Sequence, residues 1–79
     1  IYPRRAQTRG TTGYCIVEYT VTKTGSIRDP VAIDCLPAGV FDRASVKAST
    51  KFKYKPRVVD GEPIEVAGVR NKFTYELEN

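Results

Sequence analysis

The chain has 79 residues, of which 41% are hydrophobic and 28% charged, and its net charge is +4. This length fits one small domain with a marginal core, in which about 60% of the unfolded surface is buried. The absence of His removes the commonest general base near neutral pH and the commonest metal ligand. Basic and acidic residues are interspersed, which argues against a nucleic-acid partner and favours acidic partners only mildly.

The composition also bounds the context of the chain. No run of about 18 apolar residues occurs, so no membrane span is predicted, and no signal peptide is visible. The chain starts at Ile1 and contains no Met, so we interpret it as part of a longer protein that folds as a single domain over residues 1–79. We expect no enzyme activity, because the candidate acid pairs, at 29 and 34 and at 62 and 65, lie at strand ends or turns and Ser45 and Ser49 have no base partner. We expect no cofactor and no metal, since the chain has no His and two cysteines alone do not make a zinc site.

The first predicted element is a helix of about two turns over residues 2–10. Pro3 suits the first helical position and Gly10 suits the position after the helix end. So short a helix does not persist alone. We therefore expect it to dock through Tyr2 and Ala6, which lie on one face.

Two strands are predicted next, over residues 12–22 and 27–35, with a hairpin turn in which Gly25 adopts a positive φ. In the first strand, alternation places residues 15, 17, 19 and 21 on one face. In the second, Ile27, Val31, Ile33 and Cys35 are in phase. Pro30 cannot donate to a ladder, so it indicates an outer strand or a bulge.

Cys15 and Cys35 form either one disulfide, which implies an oxidising compartment, or two buried thiols. In an antiparallel pair the two residue numbers of each facing pair have a constant sum, which defines the register. With a sum of 50, Val17 faces Ile33 and the two cysteines face each other. A sum of 48 places the cysteines one diagonal step apart, and a bulge at Pro30 converts one register into the other. Both registers place the sulfurs within disulfide reach, and we favour the disulfide.

A second helix is predicted over residues 41–52. Its core face follows helical spacing and consists of Phe41, Ala44, Ser45, Ala48 and Phe52. Pro56 prevents its continuation, and a turn-rich connection follows with Asp60 and Gly61 at its centre. Lys47, Lys51, Lys53, Lys55 and Arg57 surround Phe52 and Tyr54. We interpret these cations as a solvated helix face rather than as a nucleic-acid site, with anionic components of the cell envelope as a weaker alternative.

The closing strand is predicted over residues 66–77. Val69, Asn71, Phe73, Tyr75 and Leu77 alternate with Arg70, Lys72, Thr74 and Glu76, which is the pattern of a half-buried strand. A strand near a terminus is often an edge strand. The order helix, strand, strand, helix, strand predicts an α+β fold, in which two helices pack on one face of a small antiparallel three-stranded sheet.

An ordered set of motifs runs through these elements. It comprises Tyr2-Pro3-Arg4-Arg5-Ala6, then Gly13, Val17, Tyr19 and Val21, then Gly25-Ser26-Ile27, Pro37 to Phe41, and Ala44, Ala48, Phe52, Tyr54 and Pro56. Over essentially the whole chain this set resembles the C-terminal periplasmic domain of the TonB energy-transducer family. The family usually has Trp where Phe52 stands and Val where Cys15 stands. The resemblance leaves open which paralogue the chain represents, a TonB2-like subgroup included.

The resemblance implies a domain in the periplasm, tethered to the bacterial inner membrane in the full-length protein. Its last strand is implied to capture the TonB-box peptide of outer-membrane transporters by strand addition. The proton-driven ExbB–ExbD motor, acting on other regions of the protein, is implied to pull on that peptide. The transporters then import iron-siderophore, haem or cobalamin.

The resemblance also implies the peptide-binding residues. The edge-strand set is Val66, Ala67, Gly68, Val69, Arg70, Asn71, Lys72, Phe73, Thr74 and Tyr75. A secondary set near the bound peptide is Tyr2, Arg4, Arg5 and Gln7. Tyr2 could instead be a core anchor. Arg70 and Lys72 could select acidic peptides or merely deter edge pairing.

Two other functions use the same edge. One is a structural or self-association domain, in which two copies pair edge to edge as a homodimer. The other is a TolA-like envelope adaptor with a different protein ligand.

Overall fold

The computed structural model describes residues 2–77 as a three-stranded antiparallel sheet, two helices and a small hairpin. The elements are α1 (Arg4–Arg9), β1 (Gly13–Val21), β2 (Ile27–Leu36), α2 (Asp42–Ser49), β3 (Arg57–Val59), β4 (Glu62–Ile64) and β5 (Val66–Tyr75). The larger sheet has the order β2-β1-β5. The predicted α+β class and element order are confirmed. Neither helix in this part of the chain has the length and apolar character needed to cross a membrane.

Helix α1 is shorter than predicted but ends where the sequence indicates. Gly10 has a φ of 71°, and its N–H donates to the Gln7 carbonyl at 3.2 Å. The Thr11 N–H reaches back to the Ala6 carbonyl at 2.8 Å. These two bonds form a Schellman motif, which requires the left-handed residue that glycine supplies. Ala6 is buried, as predicted.

Helix α2 is also shorter than predicted, because Phe41 precedes it and Phe52 follows it. Its buried positions are Ser45 and Ser49, while Ala44 is only half-buried. The Ser45 Oγ lies 2.7 Å from a partner hydroxyl on β5, and the Ser49 Oγ donates to a carbonyl of its own helix at 2.6 Å. Small, satisfied side chains let the helix approach the sheet closely.

The β1–β2 register changes along the strands. It starts with Val21 opposite Ile27 and ends with Cys15 opposite Cys35, and two irregularities lie between these pairs. One contains Asp29, whose φ is 51°, so the predicted bulge beside Pro30 is confirmed.

The predicted phase of β2 is wrong from Val31 to Ile33, a stretch that includes the irregularity nearer the cysteines. Val17 faces Ala32 rather than Ile33. Val31 and Ile33 are 56% and 42% exposed, because each extra residue in a bulge turns the following side chains to the other face.

The connection after α2 contains the hairpin β3–β4, which the sequence interpretation described only as turn-rich. Asp60 and Gly61 have φ values of 51° and 78°, as a type I′ turn requires. The strands have three residues each and expose Val58 and Val59. Segments so short carry too few alternating positions to predict a strand.

Two stacked aromatic pairs fill the core along β5. Phe41 stacks on Tyr75 with centroids 4.1 Å apart, and Phe52 stacks on Phe73 at 5.7 Å. Near the second pair, the buried Tyr19 is hydrogen-bonded to the Tyr54 hydroxyl. Burial, and then this bond, raise the pKa of Tyr19 above its ordinary value, so the hydroxyl stays neutral in the core. Phe52 thus fills this part of the core with a phenyl ring, where the family that the sequence resembles usually has the indole of Trp.

Candidate functional site

Strand β5 is an edge strand of the sheet, and its unpaired side is called the β5 rim below. It pairs with β1 on one side, and among residues 2–77 no strand pairs with its other side. An unpaired rim exposes a row of backbone N–H and C=O groups, which another extended chain can complete.

The two rims of the sheet differ in regularity. Strand β2 contains two register irregularities, a left-handed Asp29 and Pro30, all of which hinder pairing with a further strand. In β5 the register with β1 is constant from Val69 to Tyr75. Its irregular part is confined to the start of the strand, where Gly68 has a φ of 69°. The β5 rim is therefore the better template.

The disulfide shows which β5 residues direct their backbone outward. The Cα atoms of Cys15 and Cys35 are 4.0 Å apart, close to the ~4.5 Å of a non-hydrogen-bonded antiparallel pair rather than ~5.5 Å. Cys15 therefore directs its N–H and C=O away from β2, toward its β5 partner Phe73. Phe73 in turn directs its N–H and C=O groups toward β1. Because successive residues of a strand direct these groups to opposite sides, those of Arg70, Lys72 and Thr74 point to the free rim.

The side chains of β5 also alternate as predicted. Phe73 and Tyr75 pack into the core, while Arg70 and Lys72 are exposed on the face without helices. The Arg70 Nε donates to the Glu18 carboxylate at 2.9 Å. The Lys72 Nζ lies 4.8 Å from the centroid of the Tyr14 ring. Both cations, which could select acidic peptides, therefore contact side chains of β1. These contacts reduce the charge that they offer to a peptide at the rim.

The secondary set divides into a core residue and exposed residues. The Tyr2 ring packs edge-on against Phe41 at 5.7 Å and Tyr75 at 5.5 Å, and its hydroxyl donates to the Thr11 carbonyl. These contacts are those of a core anchor, and they hold α1 beside the C-terminal end of β5. Arg4, Arg5 and Gln7 are exposed on α1. A role of this set, or of the edge-strand set, in peptide binding stays a prediction.

The sequence interpretation missed the polar partners that support the rim. Glu18 and Tyr14 hold the β5 cations, and Arg28 of β2 makes two hydrogen bonds with Glu65, which directly precedes β5. The hydrogen bonds from Arg28 lower the pKa of Glu65. These partners lie far apart in sequence, so only the register of the sheet could have identified them.

The cysteines are joined in a disulfide, which confirms the favoured alternative. Their sulfurs lie within 4.8 Å of an Asp42 carboxylate oxygen. Disulfide sulfurs are not thiolates, the form in which cysteine binds metals, so this group is not a metal centre. The bond is instead a covalent link between β1 and β2.

Comparison with known proteins identifies the family. Residues 1–77 match the family model described as Gram-negative bacterial TonB protein C-terminal. The chain is 39% identical over 78 residues to the protein TonB of Pseudomonas aeruginosa, a match that spans 99% of the chain but 22% of that relative's length.

Two solved structures have the same fold and cover 100% of this chain at 33% identity. The solution structure of the Pseudomonas aeruginosa TonB CTD has a TM-score of 0.83, with 79% of its chain covered. The TonB2 protein from Vibrio anguillarum has a TM-score of 0.76, with 74% covered. On the family match, the sequence identity and the shared fold, the chain belongs to the TonB C-terminal family of Gram-negative bacteria.

Proposed function

We propose that this chain is the peptide-binding domain of a TonB-type energy transducer, and that the β5 rim captures TonB-box segments of outer-membrane transporters. In this proposal residues 1–79 form the C-terminal domain of a longer protein, located in the periplasm and tethered to the inner membrane. The ExbB–ExbD motor acts on other parts of that protein. The captured segment transmits its force to transporters of iron-siderophore, haem or cobalamin.

The observation that carries this proposal is the regular, unpaired rim of β5. Arg70, Lys72 and Thr74 offer three N–H donors and three C=O acceptors in one row, as inferred from the register. Each main-chain hydrogen bond contributes about 0.5–1.5 kcal/mol net, whatever the side chains of the peptide. One rim can therefore serve transporters whose boxes differ, which suits a binding role rather than catalysis.

The expected affinity is modest. A short peptide loses conformational freedom when it is ordered along a strand, and this cost offsets much of the hydrogen-bond energy. We expect reversible binding in the micromolar range, about −8 kcal/mol at 1 μM. Such binding lets the domain release one transporter and capture another.

Titration of the isotope-labelled domain with a TonB-box peptide tests the proposal. The largest amide shifts should fall in residues 66–75, with smaller shifts at Tyr2 and its neighbours on α1. Shifts that cluster elsewhere, or no saturable shift, would overturn it.

A pair of variants at one position separates main-chain from side-chain recognition. Lys72→Pro removes an outward N–H and should weaken peptide binding by about tenfold, while Lys72→Ala keeps that N–H and should bind within about twofold of the parent. Asn71→Pro is the folding control: its N–H points to β1, so this variant should lose the native amide spectrum. Equal binding by Lys72→Pro and Lys72→Ala would exclude strand addition at this rim.

Self-association is the second candidate, and the same open rim favours it. Sedimentation at several concentrations, with and without the peptide, distinguishes the two. A dimer that dissociates when peptide is added would mean that both partners use β5. A TolA-like adaptor would instead ignore TonB-box peptides while binding another protein segment.

A further inference from the structure

A basic groove crosses the helical layer of the domain, on the side of the sheet away from Glu18 and Arg70. Three adjoining cavities of about 390, 460 and 270 Å³ form it. Its apolar lining includes Val40, Ala44 and Ala48, with the first two cavities joined at Val40 and the last two at Ala44. Its cationic lining is Arg4, Arg5, Arg9, Arg43, Lys47 and Lys51.

Folding concentrates the net charge of the chain on this groove. Residues 2–11 and 37–52 hold six of the 13 basic residues but only one of the nine acidic residues, Asp42. That carboxylate accepts the Gly39 N–H at 2.9 Å. Within residues 2–77, no cation of the groove has a carboxylate within 4.0 Å, whereas Arg28 and Arg70 on the sheet are both paired. The groove is therefore an unneutralised surface of one sign.

We propose that the basic groove binds an acidic peptide segment of a partner protein, chiefly through Arg43, Lys47 and Lys51, which belong to neither peptide-binding set of the β5 rim. Arg43 and Lys47 are four residues apart on α2, a rise of about 6 Å, and Lys51 follows four residues later in the turn after the helix. Carboxylates spaced every four residues on a second helix match these steps. The alanines between the cations leave room for close approach of the partner backbone.

The lining distinguishes a peptide from other polyanions. Membrane-surface sites combine cations with aromatic or large aliphatic side chains that enter the bilayer, but the α2 part of the groove has only alanines between its cations. Single-stranded nucleic acid requires aromatic platforms on which bases stack, and none of the residues that line these cavities is aromatic. An acidic peptide with small apolar side chains fits both the charge and the shape.

Fluorescence anisotropy with a labelled alanine peptide that carries glutamate at every fourth position tests the proposal. A peptide of the same composition with contiguous glutamates is the comparison. The spaced peptide should bind saturably at low salt and more tightly than the contiguous one.

Two charge variants with equal change in net charge show where the peptide binds. The double variant Lys47→Glu and Lys51→Glu should reduce affinity by about tenfold or more. The double variant Lys53→Glu and Lys55→Glu, outside the groove, should stay within about twofold. Both variants should keep the native amide spectrum, because all four side chains are exposed.

Three outcomes would overturn the proposal. Equal losses in both charge variants would indicate a general electrostatic field. Amide shifts in residues 66–75 would indicate that the acidic peptide uses the β5 rim. Displacement of the peptide by anionic phosphatidylglycerol vesicles or by an oligonucleotide, with the same dependence on Lys47 and Lys51, would assign the groove to a membrane or a nucleic acid.

Discussion

The hydroxyls of Ser45 and Tyr75 join α2 to β5 inside the core. They lie 2.7 Å apart, and neither residue is more than 7% exposed. Ser45→Ala leaves the Tyr75 hydroxyl buried without its partner, so we expect the free energy of unfolding to fall by about 1–3 kcal/mol. Guanidinium unfolding monitored by circular dichroism measures this change.

A double-mutant cycle isolates the hydrogen bond. Ser45→Ala combined with Tyr75→Phe removes both hydroxyls, so the double variant should lose less stability than the two single variants together. Additive losses would mean that the bond contributes little and that packing alone joins the helix to the strand.

The Arg28–Glu65 pair makes stability depend on pH. Because its hydrogen bonds lower the folded-state pKa of Glu65 below the ordinary 4.5, the stabilisation is present above that value and is lost as pH falls through the folded-state pKa. Thermal unfolding between about pH 6 and pH 3 should show this decline. Glu65→Gln should show a shallower decline, and an unchanged slope would assign the acid sensitivity to other carboxylates.

At the scale of elements, the two tight turns require glycine for different reasons. A Cβ added to Gly25 would lie 2.0 Å from the Tyr54 carbonyl oxygen, and the φ of 87° is itself unfavourable. Gly61 has a similar φ of 78°, but beyond its two neighbours in the chain no atom of the described residues lies within 4 Å of such a Cβ.

These turns provide a matched pair of alanine variants. Gly61→Ala should reduce the free energy of unfolding by about 1–2 kcal/mol, because alanine in a left-handed backbone conformation is strained and no other cost is expected. Gly25→Ala should reduce it by about 3 kcal/mol or more, because the backbone of two segments must also separate. Chemical unfolding compares the two directly. Equal losses would show that the segment around Tyr54 moves aside easily.

Local sequence patterns predicted the elements whose geometry is regular. β1 and β5 alternate without interruption through their core residues, so their inward faces were predicted correctly. β2 was mispredicted at Val31 and Ile33, because its bulges turn side chains without changing the composition. The ends of α2 were also misplaced, because Phe41 and Phe52 share its apolar phase but pack from outside the helix.

The sequence was sufficient to predict the strand that carries the candidate site, but not which of its backbone groups face outward or which side chains contact it. Alternation and the family resemblance indicated residues 66–77. Which of their N–H groups face outward depends on the pairing of Cys15 with Cys35 and of Cys15 with Phe73. The partners of Arg70 and Lys72 likewise depend on strand register. Contacts between residues so far apart in sequence cannot be predicted from a local sequence pattern.

At the scale of the whole molecule, the distribution of charge differs from what the sequence suggests. Acidic and basic residues occur in similar numbers along the chain, but the fold brings six cations together along the basic groove, and the two segments that form it, residues 2–11 and 37–52, hold only one acid, Asp42. A domain measuring 50 × 21 × 14 Å thus presents an open rim, where Arg70 is paired with Glu18, and a basic groove on the helical face. In the two proposals above, Arg43, Lys47 and Lys51 belong to the groove alone, whereas Arg4 and Arg5 belong both to the groove and to the secondary set beside the β5 rim.

The disulfide stabilises the whole fold rather than the rim alone. It closes a loop between residues 20 positions apart, for which the loop-entropy model gives about 3 kcal/mol. Total stability of a small domain is about 5–15 kcal/mol. Reduction should therefore shift the guanidinium midpoint strongly downward, while a Cys15→Ala, Cys35→Ala variant should be insensitive to reductant.

Reduction should leave the affinity for a TonB-box peptide within about twofold, wherever the reduced domain is still folded. The reason is geometric: the disulfide joins β1 to β2, whereas β5 is held by its own pairing with the other side of β1. Peptide titration of the reduced domain, at a temperature where its circular dichroism is native, measures this. A large loss of affinity under those conditions would mean that the disulfide positions β5, and that the redox state of the compartment controls capture of the peptide.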